Sequence, residues 1–142
     1  MTVPACVMCG KYGGAGPLLI AELGTSRAFL HEDQFFPGYV LLVPRRHATE
    51  LYQLEAGERG AHLEEVSRVA EALARVFRPV KMNYELLGNQ VPHIHWHLVP
   101  RLSTDPDLLS PIWRVDHRPA PLAPAAARER IESIRRALDG AA

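Results

Sequence analysis

Three histidines at alternate positions, His93, His95 and His97, stand within the run Val91-Pro92-His93-Ile94-His95-Trp96-His97-Leu98-Val99-Pro100-Arg101. Imidazole changes charge near neutral pH, which suits it to act as nucleophile, proton carrier or metal ligand. Side chains of an extended strand alternate between its faces. The spacing therefore predicts three imidazoles on one face, with backbone positions roughly 6.5–7 Å apart, and Ile94, Trp96 and Leu98 on the other. Neighbouring rings at that separation reach one phosphate or one metal ion. Pro100 is expected to end the strand and Arg101 to add a fixed positive charge. A neutral imidazole can attack phosphorus and form a phosphoramidate that water later cleaves, provided the other ring nitrogen has an acceptor. Taken alone, the triplet fits a metal site or a solvated face equally well. Cys6 and Cys9 are the only cysteines, and a C-x-x-C pair reads as metal or redox chemistry before it reads as a structural disulfide.

The elements that would carry these residues follow from pattern. Residues 18–23 and 27–31 suit an antiparallel hairpin across Gly24-Thr25-Ser26, after a turn at Gly13-Gly14-Ala15-Gly16-Pro17. Residues 38–43 read as a buried third strand closed by Pro44-Arg45-Arg46. Between positions 57 and 77, Val66, Val69, Ala70, Leu73, Val76 and Phe77 recur at helical spacing, with Glu64/Arg68 and Glu71/Arg75 as i,i+4 pairs on the wet side. Pro79 stops this main helix, and residues 80–87 form a fourth strand that turns at Gly88-Asn89-Gln90 into the histidine strand. The expected class is α+β, an antiparallel sheet of about five strands with helices on one side. Residues 1–102 form the domain core. Residues 103–142 are a proline-rich linker and a terminal helix, striped by Ala127, Ile131, Ile134 and Leu138, that packs on the domain or at a dimer interface.

Composition excludes several classes. The 142 residues are one domain's worth, 47% hydrophobic, with sixteen acidic and sixteen basic side chains. Neutrality provides no global field for polymeric nucleic acid, so an anionic ligand needs a local site. No stretch approaches the ~20 apolar residues that span a bilayer. With no basic region followed by an apolar run at the amino end, a cytoplasmic protein without a membrane partner is expected.

The pattern His-apolar-His-apolar-His-apolar-apolar resembles the signature of the histidine-triad (HIT) family of nucleotide hydrolases and transferases. The upstream phrase Phe36-Pro37-Gly38-Tyr39-Val40-Leu41-Leu42-Val43-Pro44-Arg45-Arg46-His47 is similar to that family's strand and basic turn, and the Cys pair stands where many members carry one. Together these motifs extend over residues 6–101. Trp96 and Asp105-Pro106-Asp107 look like the bacterial, dinucleoside-polyphosphate-hydrolase-like branch. The resemblance implies a HIT-like fold, His95 as nucleophile and His97 as donor to a phosphate or bridging oxygen. It implies polar contacts to substrate from Glu32 (to ribose hydroxyls, with Asp33 as its rival one residue on), Asn83 and Gln90. It implies a structural zinc held by Cys6, Cys9, His47 and His93, a purine nucleotide substrate and a homodimer. Leu18, Ile20, Phe29 and Leu30 are candidates for a base pocket or plain core.

The activity so implied is hydrolysis at the α-phosphate of a nucleoside phosphoramidate or dinucleoside polyphosphate through a nucleotidyl-histidine intermediate. The competing readings are a nucleotidylyltransferase or phosphorylase, which shares that intermediate, and a non-catalytic nucleotide-binding regulatory module. One departure stands out: Gly38-Tyr39 replaces the family's Gly-His, so a phenol takes the place of a supporting imidazole. His62 and His117 are expected to be solvated, His31 to end a strand, Trp96 to be core, and Trp113 to cap a patch near the active site or a dimer interface.

Overall fold

The computed structural model describes residues 5–140. Five strands, β1 (Leu19–Glu22), β2 (Ser26–Leu30), β3 (Val40–Pro44), β4 (Lys81–Leu86) and β5 (Trp96–Arg101), form one antiparallel sheet in the order β1-β2-β3-β5-β4. The helices are α1 (Val7–Lys11), α2 (Ala56–Phe77) and α3 (Pro124–Asp139), with 3-10 turns at Leu51–Gln53 and Ile112–Arg114. β3 is central and buried at every residue, which explains its uninterrupted apolar sequence.

Alternation along the strands separates two cores. Ile20, Leu30, Val40, Leu42 and Leu98 meet Val66, Val69 and Leu73 of α2 and Ile131, Ile134 and Leu138 of α3. The intervening residues Phe29, Leu41, Val43 and Val99 pack on the opposite face with Met8, Phe36, Tyr39 and Ile112. That second face, roofed by α1 and the 112–114 turn, is the one to which His97 belongs, since Leu41 stands opposite it in the ladder. Helices thus lie on both sides of the sheet, the long ones on one. No helix among the described residues is long and apolar enough to cross a membrane.

The histidine run is not all strand. β5 begins at Trp96, so His93 and His95 belong to the extended segment before it. The β3–β5 ladder stops at the Leu42–Trp96 pair; Pro44, which has no N–H to give, lies just beyond, and its carbonyl meets the His93 ring instead. Nor does Pro100 end β5. It pairs with Met82 on β4, while β3 reaches only as far as Leu98, so the missing N–H faces no neighbouring strand. The turn before β3 depends on Gly38, whose φ of +87° and approach to Phe77 leave no room for a side chain: an added Cβ would lie 2.6 Å from that ring.

Two polar residues are buried, His62 against the solvated place expected of it and Arg101 with its charge paired. His62 is buried, accepting from Trp96 Nε1 at 2.9 Å and meeting Thr25 Oγ1 at 3.2 Å, while nearby Glu65 accepts from the Thr25 amide at 2.8 Å and Ser26 Oγ at 2.5 Å. Arg101 is only 1% exposed. It pairs with Asp105 at 3.0 Å, donates to Asn83 Oδ1 and the Ser110 and Asp107 carbonyls, and lies over the Phe36 ring, so its charge is consumed in anchoring the 105–110 loop. Removing one member of a buried, hydrogen-bonded pair leaves the other unpaired. Arg101→Met is therefore expected to lose about 3–5 kcal/mol in urea unfolding. A change within about 0.5 kcal/mol, the ordinary range of surface substitutions, would remove Arg101 from this anchoring role.

Candidate active site and metal centre

His95 and His97 carry opposite hydrogen-bonding polarity. Nδ1 of His95 lies 2.7 Å from the His93 carbonyl oxygen. A carbonyl only accepts, so a hydrogen is on Nδ1, and in the neutral ring the lone pair is on Nε2. His97 Nδ1 lies 2.6 Å from the Tyr39 hydroxyl. Burial raises the Tyr39 pKa, keeping the phenol protonated, and lowers that of His97 to about 4, with His95 and His31 adding to the depression. A protonated phenol can donate to Nδ1 of a neutral His97, and in that tautomer the ring holds its own hydrogen at Nε2. The two rings, 4.9 Å apart between centroids, therefore offer one base and one donor side by side. Tyr39 is itself held by His31, which stacks on it at 4.0 Å with the planes 3° apart.

The nitrogen and sulfur atoms of Cys6, Cys9, His47 and His93 all lie within 4.8 Å of one another. His93 Nδ1 is 3.5 Å from both sulfurs and 3.2 Å from His47 Nδ1, and Cys9 Sγ is 3.4 Å from His47 Nδ1. A tetrahedron with Zn–S near 2.3 Å and Zn–N near 2.05 Å has S···N edges of about 3.5 Å and an N···N edge of about 3.3 Å. The donor set and its dimensions fit a closed tetrahedral metal site. Nε2 of His93 donates to the Pro44 carbonyl at 3.1 Å, leaving Nδ1 as the ligand atom, the outer contact that such sites use to fix a ring. α1 exists to bring Cys9 there. Its cap residue is Cys6, so one helical turn supplies both thiols.

A cavity of about 310 Å³ is lined by His95, His97, Leu87 to Val91 and Trp113. Gln90 is thus beside the histidines. Glu32 is not: after β2 the chain turns at His31, whose ring packs inward on Tyr39, and Glu32 is directed outward to pair with Lys11. Asp33, its rival, accepts from the Phe35 and Ala120 amides and so serves the loop. Asn83 does not line the histidine cavity either, because its side chain accepts from Arg101 Nη1 at 3.1 Å. Ile20, Phe29 and Leu30 are buried in the two cores, and Leu18 packs against one of them. Sequence reasoning missed Glu85, which stands opposite His97 in the β4–β5 ladder and accepts from Trp113 Nε1 at 2.6 Å. Only the register across the intervening loop could have revealed it.

Residues 17–104 match the family model of the HIT domain. Over 85 residues the chain is 31% identical to the asymmetrical bis(5'-nucleosyl)-tetraphosphatase of Schizosaccharomyces pombe, a match covering 56% of this chain and 47% of that protein. It spans about half of that relative's length. The adenosine 5'-monophosphoramidase of the same yeast is 28% identical over 99 residues, covering 68% of this chain and 74% of the relative. A solved histidine triad protein from Bradyrhizobium japonicum superposes with a TM-score of 0.76 at 31% identity, over 84% of this chain and 89% of that one.

Burial lowers the pKa of His31, His62 and His97 below the ordinary imidazole value. These rings take up protons more readily in the unfolded chain, so stability rises with pH wherever the unfolded state binds more protons. Stability contributed by the neutral rings is present above pH ~6.5 and lost as the pH falls toward the folded values. For His97 that window runs down to about 4. The thermal midpoint is accordingly expected to fall steadily from pH 7.5 to pH 4.5. A midpoint that is flat or rises over this range would contradict the placement of three neutral imidazoles in the interior.

Proposed function

The chain belongs to the HIT domain family, and on that premise we propose that it is a nucleotide hydrolase that works through a nucleotidyl-histidine intermediate. The observation that carries this reading is the 2.7 Å contact between His95 Nδ1 and the His93 carbonyl, which puts the neutral ring's lone pair on Nε2. That lone pair attacks the α-phosphorus of a nucleoside phosphoramidate or dinucleoside polyphosphate. The P–N bond forms as the bond to the leaving group breaks, with its electron pair going to the departing nitrogen or oxygen. The imidazolium so created keeps its Nδ1–H on the His93 carbonyl. Nε2–H of His97 donates to a phosphoryl or bridging oxygen as charge develops there. The departing nitrogen or oxygen takes up a proton from solvent; water then attacks phosphorus and releases a proton to solvent as the P–N bond breaks and its electron pair returns to Nε2, so the products are a nucleoside monophosphate and the protonated leaving group. Gln90, at the rim of the same cavity, would contact phosphate. A purine ribonucleotide is the substrate class favoured by the family. Relatives that act on dinucleoside tetraphosphate and on a phosphoramidate support both leaving-group types.

Cys6, Cys9, His47 and His93 would hold zinc, whose closed thiolate and imidazole shell makes it structural and joins the amino-terminal segment to the sheet. A second copy of the chain would dock on β4, an edge strand flanked by the exposed Val80, Tyr84, Leu87 and Leu109.

Two experiments test this. His95→Ala is expected to abolish turnover of adenosine phosphoramidate and diadenosine tetraphosphate while nucleotide binding and the thermal midpoint change little; retained turnover would take the nucleophile's role from His95. The double variant Cys6→Ser, Cys9→Ser is expected to lose about one zinc per chain by elemental analysis and to melt lower. Metal-free wild-type protein with an unchanged midpoint in the double variant would disprove the zinc site.

A further inference from the structure

Trp113 is a large apolar side chain left 53% exposed, yet it is held in place. Its Nε1 donates to Glu85 Oε1 at 2.6 Å, and its 3-10 turn follows the loop that the buried Arg101 grips through the Ser110 and Asp107 carbonyls. The indole lines the same cavity as His95 and His97 and stands at 87° to the His97 ring, with centroids 5.1 Å apart. Its neighbour in the pair is His97, the residue to which the hydrolase reading gives the hydrogen bond to the departing oxygen. Across the cavity Leu87 is also exposed. Beside the indole, Glu85 Oε2 is buried and has no hydrogen-bond partner among the described residues.

We propose that Trp113 is a specificity-determining residue for the leaving group: a rigid stacking platform for a planar ring carried on the departing side of the α-phosphate. This rests on the hydrolase reading given above. A fixed indole loses little freedom when a ring stacks on it, and every base or aromatic amine presents a π-face. A small alkyl amine or pyrophosphate offers no such stacking surface. Two kinds of compound share this chemistry, a second nucleobase at the far end of a polyphosphate and an aromatic amine in a phosphoramidate.

The test is kcat/KM for the full chain, Trp113→Ala and Trp113→Phe on four adenosine substrates: the methylamine and tryptamine phosphoramidates, ATP and diadenosine tetraphosphate. Trp113→Ala is expected to lose roughly 5- to 150-fold on ring-bearing leaving groups, the range of one base stack, and less than twofold on methylamine amidate and ATP. Trp113→Phe recovers most of the loss. A loss confined to diadenosine tetraphosphate assigns the ring to a nucleobase, one confined to the tryptamine amidate to an amine, and either supports the proposal. An equal loss on all four substrates, or none, overturns it while leaving His95 as nucleophile intact. Wild-type protein that turns over none of the four and forms no adduct at His95 fails the hydrolase reading itself, and the platform falls with it. Circular dichroism and the thermal midpoint of both variants separate a specificity effect from misfolding.

Discussion

The hydrogen bond from Nδ1 of His95 to the carbonyl of His93 is the constraint on which the rest of the site depends. It runs between residues two apart, so it holds only if the backbone around Ile94 stays fixed. Several contacts fix it. The Ile94 amide donates to the Ala48 carbonyl at 2.8 Å, and its side chain packs with Ala48 and Leu54. The His93 ring is held by Pro44 on one nitrogen and by the Cys6, Cys9 and His47 cluster on the other. The proposed zinc would thus act on His95, the proposed nucleophile, only indirectly, by keeping His93 in place. Its contribution would be to geometry and stability, with the chemistry left to imidazole.

His97 depends on a different neighbour. Trp96 and His97 point to opposite faces of β5, and each is secured by one buried hydrogen bond, Trp96 by His62 and His97 by Tyr39. The phenol at position 39 does what a supporting imidazole would do in one respect, since it can donate to Nδ1. It differs in another, because burial raises its pKa and it stays neutral. His97 is accordingly a hydrogen-bond donor whose ring is itself neutral around pH 7. Such a donor stabilises charge on a phosphoryl or bridging oxygen without surrendering its proton.

Much of this was legible in the sequence because local periodicity reports burial directly. The apolar run of β3, the helical spacing of Val66, Val69 and Leu73, and the α3 stripe at Ile131, Ile134 and Leu138 all became core. The Cys pair and the two histidines now brought together were named by the family resemblance, since nothing in local spacing joins residues 6 and 9 to 47 and 93. What escaped notice depended on pairing across long loops. His62 lies on the same stripe as Val66, Val69 and Leu73, a signal available in the heptad spacing, but a histidine there is overlooked unless its partner Trp96 is known to face it. Arg101 reads in the sequence only as a fixed positive charge after the triad; its partners, Asp105, Asn83 and Ser110, are chosen by the turn of the chain after β5. The same turn carries Trp113 to the cavity, which no local pattern around residue 113 announces. The turn after β2 likewise sets Glu32 toward Lys11 while His31 stacks on Tyr39.

The tautomers of the two rings are the central claim, and nitrogen-15 NMR of histidine-labelled protein at neutral pH reads them directly. Two-bond correlations from the ring protons distinguish a protonated nitrogen from a bare one, and His95→Ala and His97→Ala spectra assign the signals. The account predicts His95 with Nδ1 protonated and Nε2 bare, and His97 with the reverse. A His95 whose Nε2 carries the hydrogen, or a His97 charged at pH 7, would contradict it.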